Sequence, residues 1–137
     1  MIILKDKKIE ILDPKSLATL LQKWLHTLDD IERDKEHFVV ILLDVRNKVR
    51  LIEVVTIGIL NASVSHPREV YRRAIAEGAA MIIVAHNHPS GVCDPSDEDI
   101  GVTERLQEAG KIIGIALLDH LIFSDSTYLS FADQGLL

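Results

Sequence analysis

Cysteine is almost missing: Cys93 is the only one in 137 residues. No internal disulfide can form, and a Cys-rich zinc cage is excluded. Long apolar runs are missing too. The longest, AAMIIVA (79–85) and IIGIALL (112–118), fall far short of the roughly 20 residues that a membrane-spanning helix needs. Lys5, Asp6, Lys7 and Lys8 interrupt the apolar start, and no small-residue cleavage site follows, so no secretory leader is expected. Positive charge is in deficit. Fifteen Lys and Arg against 21 Asp and Glu leave a net charge of -6, which offers little grip on phosphate backbones, so nonspecific nucleic-acid binding is not expected. Repeats, low-complexity tracts and Gly/Ser-rich linkers are absent as well. These absences leave a single domain over residues 1–137, with no membrane contact and a reducing cytoplasm as the expected setting.

What is present is apolar residue, 47% of the chain, enough to build a packed core. Residues 1–13 read as a peripheral strand or hairpin. After Pro14, residues Leu17, Leu20, Leu21, Trp24, Leu25, Leu28 and Ile31 recur at helical spacing, which predicts an amphipathic helix covering a sheet. EHFVVILLD (36–44) is apolar on both alternating faces and predicts a strand buried from both sides. A polar turn, VRNKVR, leads to its hairpin partner LIEVVTIGIL. Ser65 or His66 can cap the helix PREVYRRAIAE, with Pro67 in its first turn and Gly78 at its stop. AAMIIVAH is a second buried strand and PSGVCDP a loop. SDEDIGVTERLQEAG is a helix expected to stop at Gly110, and IIGIALLDHLIF supplies one or two last strands with Asp119 and His120 near their junction. Strands interleaved with helices predict an α/β layered domain with a mixed central sheet.

The chemistry is concentrated in HNHPSGVCDPSDED (86–99). Residues i and i+2 of a strand share a face, so His86 and His88 can aim both imidazoles at one ion. A third ligand fits at the start of the following helix, where Asp99, Asp97, Glu98 and Asp94 are all candidates by spacing. Two histidines and a carboxylate leave one tetrahedral position open, and zinc lowers the pKa of a water there to roughly 7. Ser96 and Asp99 also match a capping box, which competes with the metal reading. A histidine that stands alone, such as His26, His37 or His66, reads as a satisfied core residue. Cys93 has no patterned base and reads as incidental.

The spacing His86-Asn87-His88, seven residues, Ser96, two residues, Asp99 resembles the H-x-H-x7-S-x2-D pattern of JAMM (MPN-domain) metalloproteases. HNHPSG, GILNASVSHPREV and EAGKIIGIALLDHLIF are similar more narrowly to the RadC (UPF0758) family, over roughly residues 15–137. Asn87 stands where Ser or Thr is usual in eukaryotic JAMM sequences. The helix-hairpin-helix region that often precedes this domain in the family is not found in the chain. The resemblance implies an MPN-like fold, Zn2+ held by His86, His88 and Asp99, and hydrolysis of a peptide or isopeptide-like amide in a protein or peptide-like substrate. It also implies an upstream glutamate as proton shuttle, which falls on Glu36, with Glu53 as the rival. Ser96 is then the oxyanion donor, with helix capping as its alternative role. Asp119-His120 could support the site, although a structural strand-end pair is the preferred reading.

Two other functions compete. One is a noncatalytic MPN-like interaction module in DNA-repair or mobile-element machinery, suggested by the family name. The other, zinc nucleoside deamination, requires H-x-E with P-C-x-x-C and fails on a chain with H-x-H and one cysteine.

Overall fold

The computed structural model describes residues 1–10, 13–58 and 66–137, with only the backbone of residues 6–8. Ten elements follow in order: β1 (Ile2–Glu10), α1 (Pro14–His26), α2 (Asp30–Arg33), β2 (His37–Leu43), β3 (Lys48–Ile57), α3 (Pro67–Glu77), β4 (Met81–Asn87), α4 (Asp97–Ile113), β5 (Ala116–Phe123) and β6 (Tyr128–Ser130). The strands form one sheet in the order β1-β3-β2-β4-β5-β6. All neighbours are antiparallel except β4 and β5, which run parallel through the crossover helix α4. This is a mixed central sheet flanked by helices, as the sequence pattern predicts.

β2 lies inside the sheet and all seven of its residues are buried. Its alternate side chains feed two apolar layers. Phe38, Val40 and Leu42 join Ile82 and Val84 beneath α3 and α4. Val39, Ile41 and Leu43 join Ile83, Ala85, Leu121 and Phe123 beneath Leu17, Leu21 and Leu25 of α1. A strand sandwiched in this way must be apolar on both faces, which is why EHFVVILLD carries no alternation.

Several boundaries differ from the sequence expectation, among them the start of β3, which at Lys48 takes in half of the VRNKVR turn. The first helix does not reach Ile31. It ends at His26, and Asp29 caps a separate short helix by accepting the Glu32 N–H at 2.8 Å. Ile31 is therefore left 73% exposed. The fourth helix runs through Gly110 to Ile113, and Gly114, at φ 86°, ends it instead. Gly110 is required for a different reason: a Cβ there would lie 2.5 Å from both the Ile115 carbonyl and the Tyr71 hydroxyl. The glycine thus marks a close approach of α3 to α4, where Tyr71 donates to the Leu106 carbonyl at 2.9 Å. Finally, Ile112 and Ile113 belong to the helix, so the last apolar segment makes one strand, β5, with Asp119 and His120 buried within it. β6 is a short addition that the pattern does not announce.

His66 occupies the cap position of α3 without a side-chain hydrogen bond to it; Ser65, the other cap candidate, and Ile59 and Leu60 of the expected strand lie outside the described residues. No helix among the described residues is long and apolar enough to cross a membrane.

Candidate metal centre

β4 delivers the first ligand candidate. Its neighbours in the sheet are β2, where Phe38 stands opposite His86, and β5, where Ile122 does. His86 is fully buried on the face covered by α4. Asn87 points the other way and ties the strand end down: its carbonyl oxygen accepts the His37 N–H at 2.6 Å and its amide donates to the Lys35 carbonyl at 3.0 Å. His88 then returns to the first face, its backbone N–H donating to Phe123 at 2.9 Å. The Nε2 atoms of His86 and His88 end 2.9 Å apart.

Asp99 arrives from the first turn of α4, and it satisfies both of its readings at once. In the capping box, Ser96 Oγ accepts the Asp99 N–H at 3.1 Å while Asp99 Oδ2 accepts the Ser96 N–H at 2.9 Å. The same carboxylate faces the histidines, with Oδ1 at 3.1 Å from His86 Nε2 and Oδ2 at 3.3 Å from His88 Nε2. Capping therefore orients the ligand candidate instead of competing with it. Asp94, Asp97 and Glu98, the spacing rivals, are exposed. Among the described residues, His86, His88 and Asp99 are the group of three that can hold a metal ion, with donor atoms within 4.8 Å of one another.

The donor chemistry fits a divalent ion. His88 Nδ1 lies 2.8 Å from the Val92 carbonyl, which can only accept, so the ring proton is on Nδ1 and Nε2 offers a lone pair to the centre. Two imidazole nitrogens and a carboxylate leave room for a further ligand and suit borderline ions such as zinc. The electrostatics are strongly coupled. The Asp99 carboxylate beside His88 pushes that imidazole's pKa up, against the effect of burial. Burial alone would raise Asp99, yet its contacts with His86 and His88 hold it well below the usual carboxylate range.

The remaining sequence candidates separate cleanly. Glu36, just before β2, lines a cleft of about 320 Å³ together with His88, Pro89, Ser96 and Asp99. Glu53 does not line that cleft: its Oε2 accepts from Arg73 Nε at 3.1 Å and from the terminal guanidinium nitrogen at 2.7 Å, in a pair between β3 and α3. Cys93 sits with its sulfur 3.3 Å from the Thr127 hydroxyl. Of the solitary histidines, His26 is exposed and 3.7 Å from Asp125, whereas His37 is buried edge-on to Trp24 with ring centroids 5.4 Å apart. His37 is not fully satisfied, because its Nδ1 has no partner among the described residues.

The Asp119-His120 pair divides its labour. Asp119 accepts from Ser130 Oγ at 2.5 Å and from the Ala132 N–H at 2.9 Å, and so anchors the segment after β5. Burial pushes its pKa up. His120 instead reaches the candidate centre: its Nε2 is 2.8 Å from His86 Nδ1, and burial drives its pKa well below the ordinary value. The preferred structural reading of the pair thus fits Asp119, and the site-supporting reading fits His120; sequence reasoning missed Thr103 altogether, although Thr103 stands one helical turn beyond Asp99, a spacing that puts both on one face.

A layered α/β domain with this sheet order, presenting a strand-end His-x-His to the first turn of a helix, defines a JAB/MPN-type fold with a candidate metal centre. The chain belongs to the RadC-like JAB domain family, whose model matches residues 11–136. A UPF0758 protein of Methanosarcina mazei is 46% identical over 131 residues, covering 96% of this chain and 55% of the relative. Another from Caldanaerobacter subterraneus is 43% identical over 98% of this chain and 56% of the relative. One from Geobacillus kaustophilus is 54% identical over 74% and 45% respectively. The chain thus spans about half the length of these curated relatives.

Proposed function

We propose that this chain is a zinc-dependent hydrolase of the JAMM type that cleaves a peptide or isopeptide-like amide bond with metal-activated water. The observation that carries the reading is the convergence of two imidazole Nε2 atoms and one carboxylate at 2.9–3.3 Å from one another. His86, His88 and Asp99 would hold the ion. Bound zinc supplies Lewis acidity and acidifies water enough for it to react near neutral pH.

The chain's own residues do the rest. Glu36, on the wall of the cleft that holds His88 and Asp99, takes the proton from the attacking water and returns it to the leaving amine, a task worth about 10²–10⁴ in rate. Ser96 Oγ is occupied as an acceptor by the Asp99 N–H, and that bond leaves its own hydrogen for the carbonyl oxygen as negative charge develops there. A second cleft of about 460 Å³ meets the first along His88, Pro89 and Ser90, giving a peptide room on both sides of the scissile bond. The substrate is accordingly an extended protein segment.

The test is metal analysis of purified protein combined with a screen of peptide and isopeptide substrates. One zinc per chain is expected, with cleavage abolished in His88→Ala and Asp99→Ala. Protein that takes up no stoichiometric metal, or cleavage that survives both substitutions, would overturn the proposal.

A further inference from the structure

The hydrogens in the buried network behind His86 can be counted. Thr103, on α4, is 2% exposed, and its hydroxyl donates to the Asp99 carbonyl at 2.8 Å. A hydroxyl has one hydrogen to give. The same oxygen lies 2.6 Å from His120 Nδ1, so in that contact it must accept, and His120 Nδ1 carries a proton. His120 is wholly buried, stacked on Phe131 with centroids 4.6 Å apart and edge-on to Phe38. No carboxylate among the described residues is hydrogen-bonded to its ring, so a cation there would be buried without a counter-ion in contact. A neutral imidazole with hydrogen on Nδ1 can only accept at Nε2. The atom facing that nitrogen is His86 Nδ1, at 2.8 Å. His86 must therefore carry its hydrogen on Nδ1 and leave Nε2 bare, directed at Asp99 and His88.

We propose that Thr103 and His120 are positioning residues that lock His86 in the Nδ1–H tautomer and so aim its Nε2 lone pair into the candidate metal centre. Donation runs from His86, the partner of the Asp99 carboxylate, through His120 and Thr103 to the Asp99 carbonyl that accepts at the end, so helix α4 sets both the third ligand candidate and the tautomer of the first. His88 reaches the same state by a simpler route, donating directly to Val92. At His86 the relay takes the place of a carbonyl: among the described residues the partner of its Nδ1 is His120 Nε2. The metal half of the inference rests on the hydrolase reading, whereas the tautomer is a property of the polypeptide.

The experiment uses the full chain labelled with 15N-histidine. Long-range 1H–15N spectra report the hydrogen on each ring nitrogen, and competition with a chromogenic chelator reports zinc affinity. In the wild type, His86 and His120 are expected as Nδ1–H. Thr103→Val keeps the shape and removes the acceptor: His120 and His86 should then populate mixed tautomers, with zinc affinity about 10–100-fold weaker. Thr103→Ser should restore both readouts. His120→Gln, whose amide oxygen can accept from His86, should keep the His86 tautomer. A melting curve for each variant checks folding, and a merely structural role would move Tm without moving the tautomer. Wild-type His86 found as Nε2–H, or Thr103→Val matching the wild type in tautomer and affinity, overturns the proposal. If neither protein binds zinc, the hydrolase reading falls while the spectra still decide the lock.

Discussion

Lowering the pH should weaken metal binding by one proton, not two. His88 is the group that responds first, because the Asp99 carboxylate 3.3 Å away raises its pKa. His86 and His88 present their Nε2 atoms to each other at 2.9 Å, so a proton on one fills the space a proton on the other would need. An incoming ion must displace that single proton. Below the His88 pKa the apparent affinity therefore falls tenfold per pH unit, about 1.4 kcal/mol each. Two pH units below it the loss is about 100-fold, or about 2.7 kcal/mol. The protein without metal behaves differently. A raised imidazole pKa contributes stability that is fully present below its unfolded value near 6.5 and is lost as pH rises through the folded value. A depressed carboxylate pKa, that of Asp99, contributes stability above about 3.9 that is lost as pH falls through the folded value. Together they place the greatest contribution between roughly pH 4 and 6.5, where weaker metal binding is expected. Calorimetric titration with zinc across this range, and melting of chelated wild-type and His88→Gln proteins, measure the two trends. A slope of two decades per pH unit, a flat affinity, or a wild-type advantage over His88→Gln that grows above pH 7 would refute the reasoning.

Three further outcomes are expected. Ser96→Ala removes the cap of α4 and should cost about 0.5–2 kcal/mol, seen as a lower Tm; an unchanged cleavage rate in the same variant would confine Ser96 to capping. Gly110→Ala gains up to about 1 kcal/mol of helix propensity but places a methyl 2.5 Å from the Ile115 carbonyl and the Tyr71 hydroxyl, so net destabilisation of about 1–3 kcal/mol is expected in denaturant melts. Glu36→Gln should reduce cleavage by about 10²–10⁴ with zinc affinity nearly unchanged, whereas Glu53→Gln, which breaks the contact with Arg73, should lower Tm and spare the chemistry; the reverse pattern would exchange their roles.

Much of the site could be read from the one-dimensional pattern because its parts are local. His86 and His88 share a face by strand geometry alone. Asp99 lies one loop away, and its capping box with Ser96 is a four-residue signal. What the pattern could not separate were candidates of equal chemistry. Asp97, Glu98 and Asp99 differ only in which way the first turn of α4 faces, decided by burial against β4 and β5, while Asp94 stays in the loop before the helix. Glu36 and Glu53 differ by the presence of Arg73, 20 residues from Glu53 in sequence and reachable only once α3 packs on the sheet. The helix ends were misplaced for a similar reason: Gly110 looks like a stop, but its missing side chain serves the approach of Tyr71.

The amino-acid sequence by itself determined the layered α/β architecture, the paired histidines and the carboxylate that follows them, because periodicity and short-range spacing act within single elements and the turns between them. Only the tertiary structure decided the proton arrangement around those residues. The contact of His120 with His86 spans 34 positions and that of Thr103 with His120 spans 17. Both depend on the parallel pairing of β4 with β5 and on a register shift between Ile82 and Ile83 that sets Val84 beside His120. A hydrogen-bond network has direction only when every partner is in place, and those partners meet only once α4 packs on the sheet.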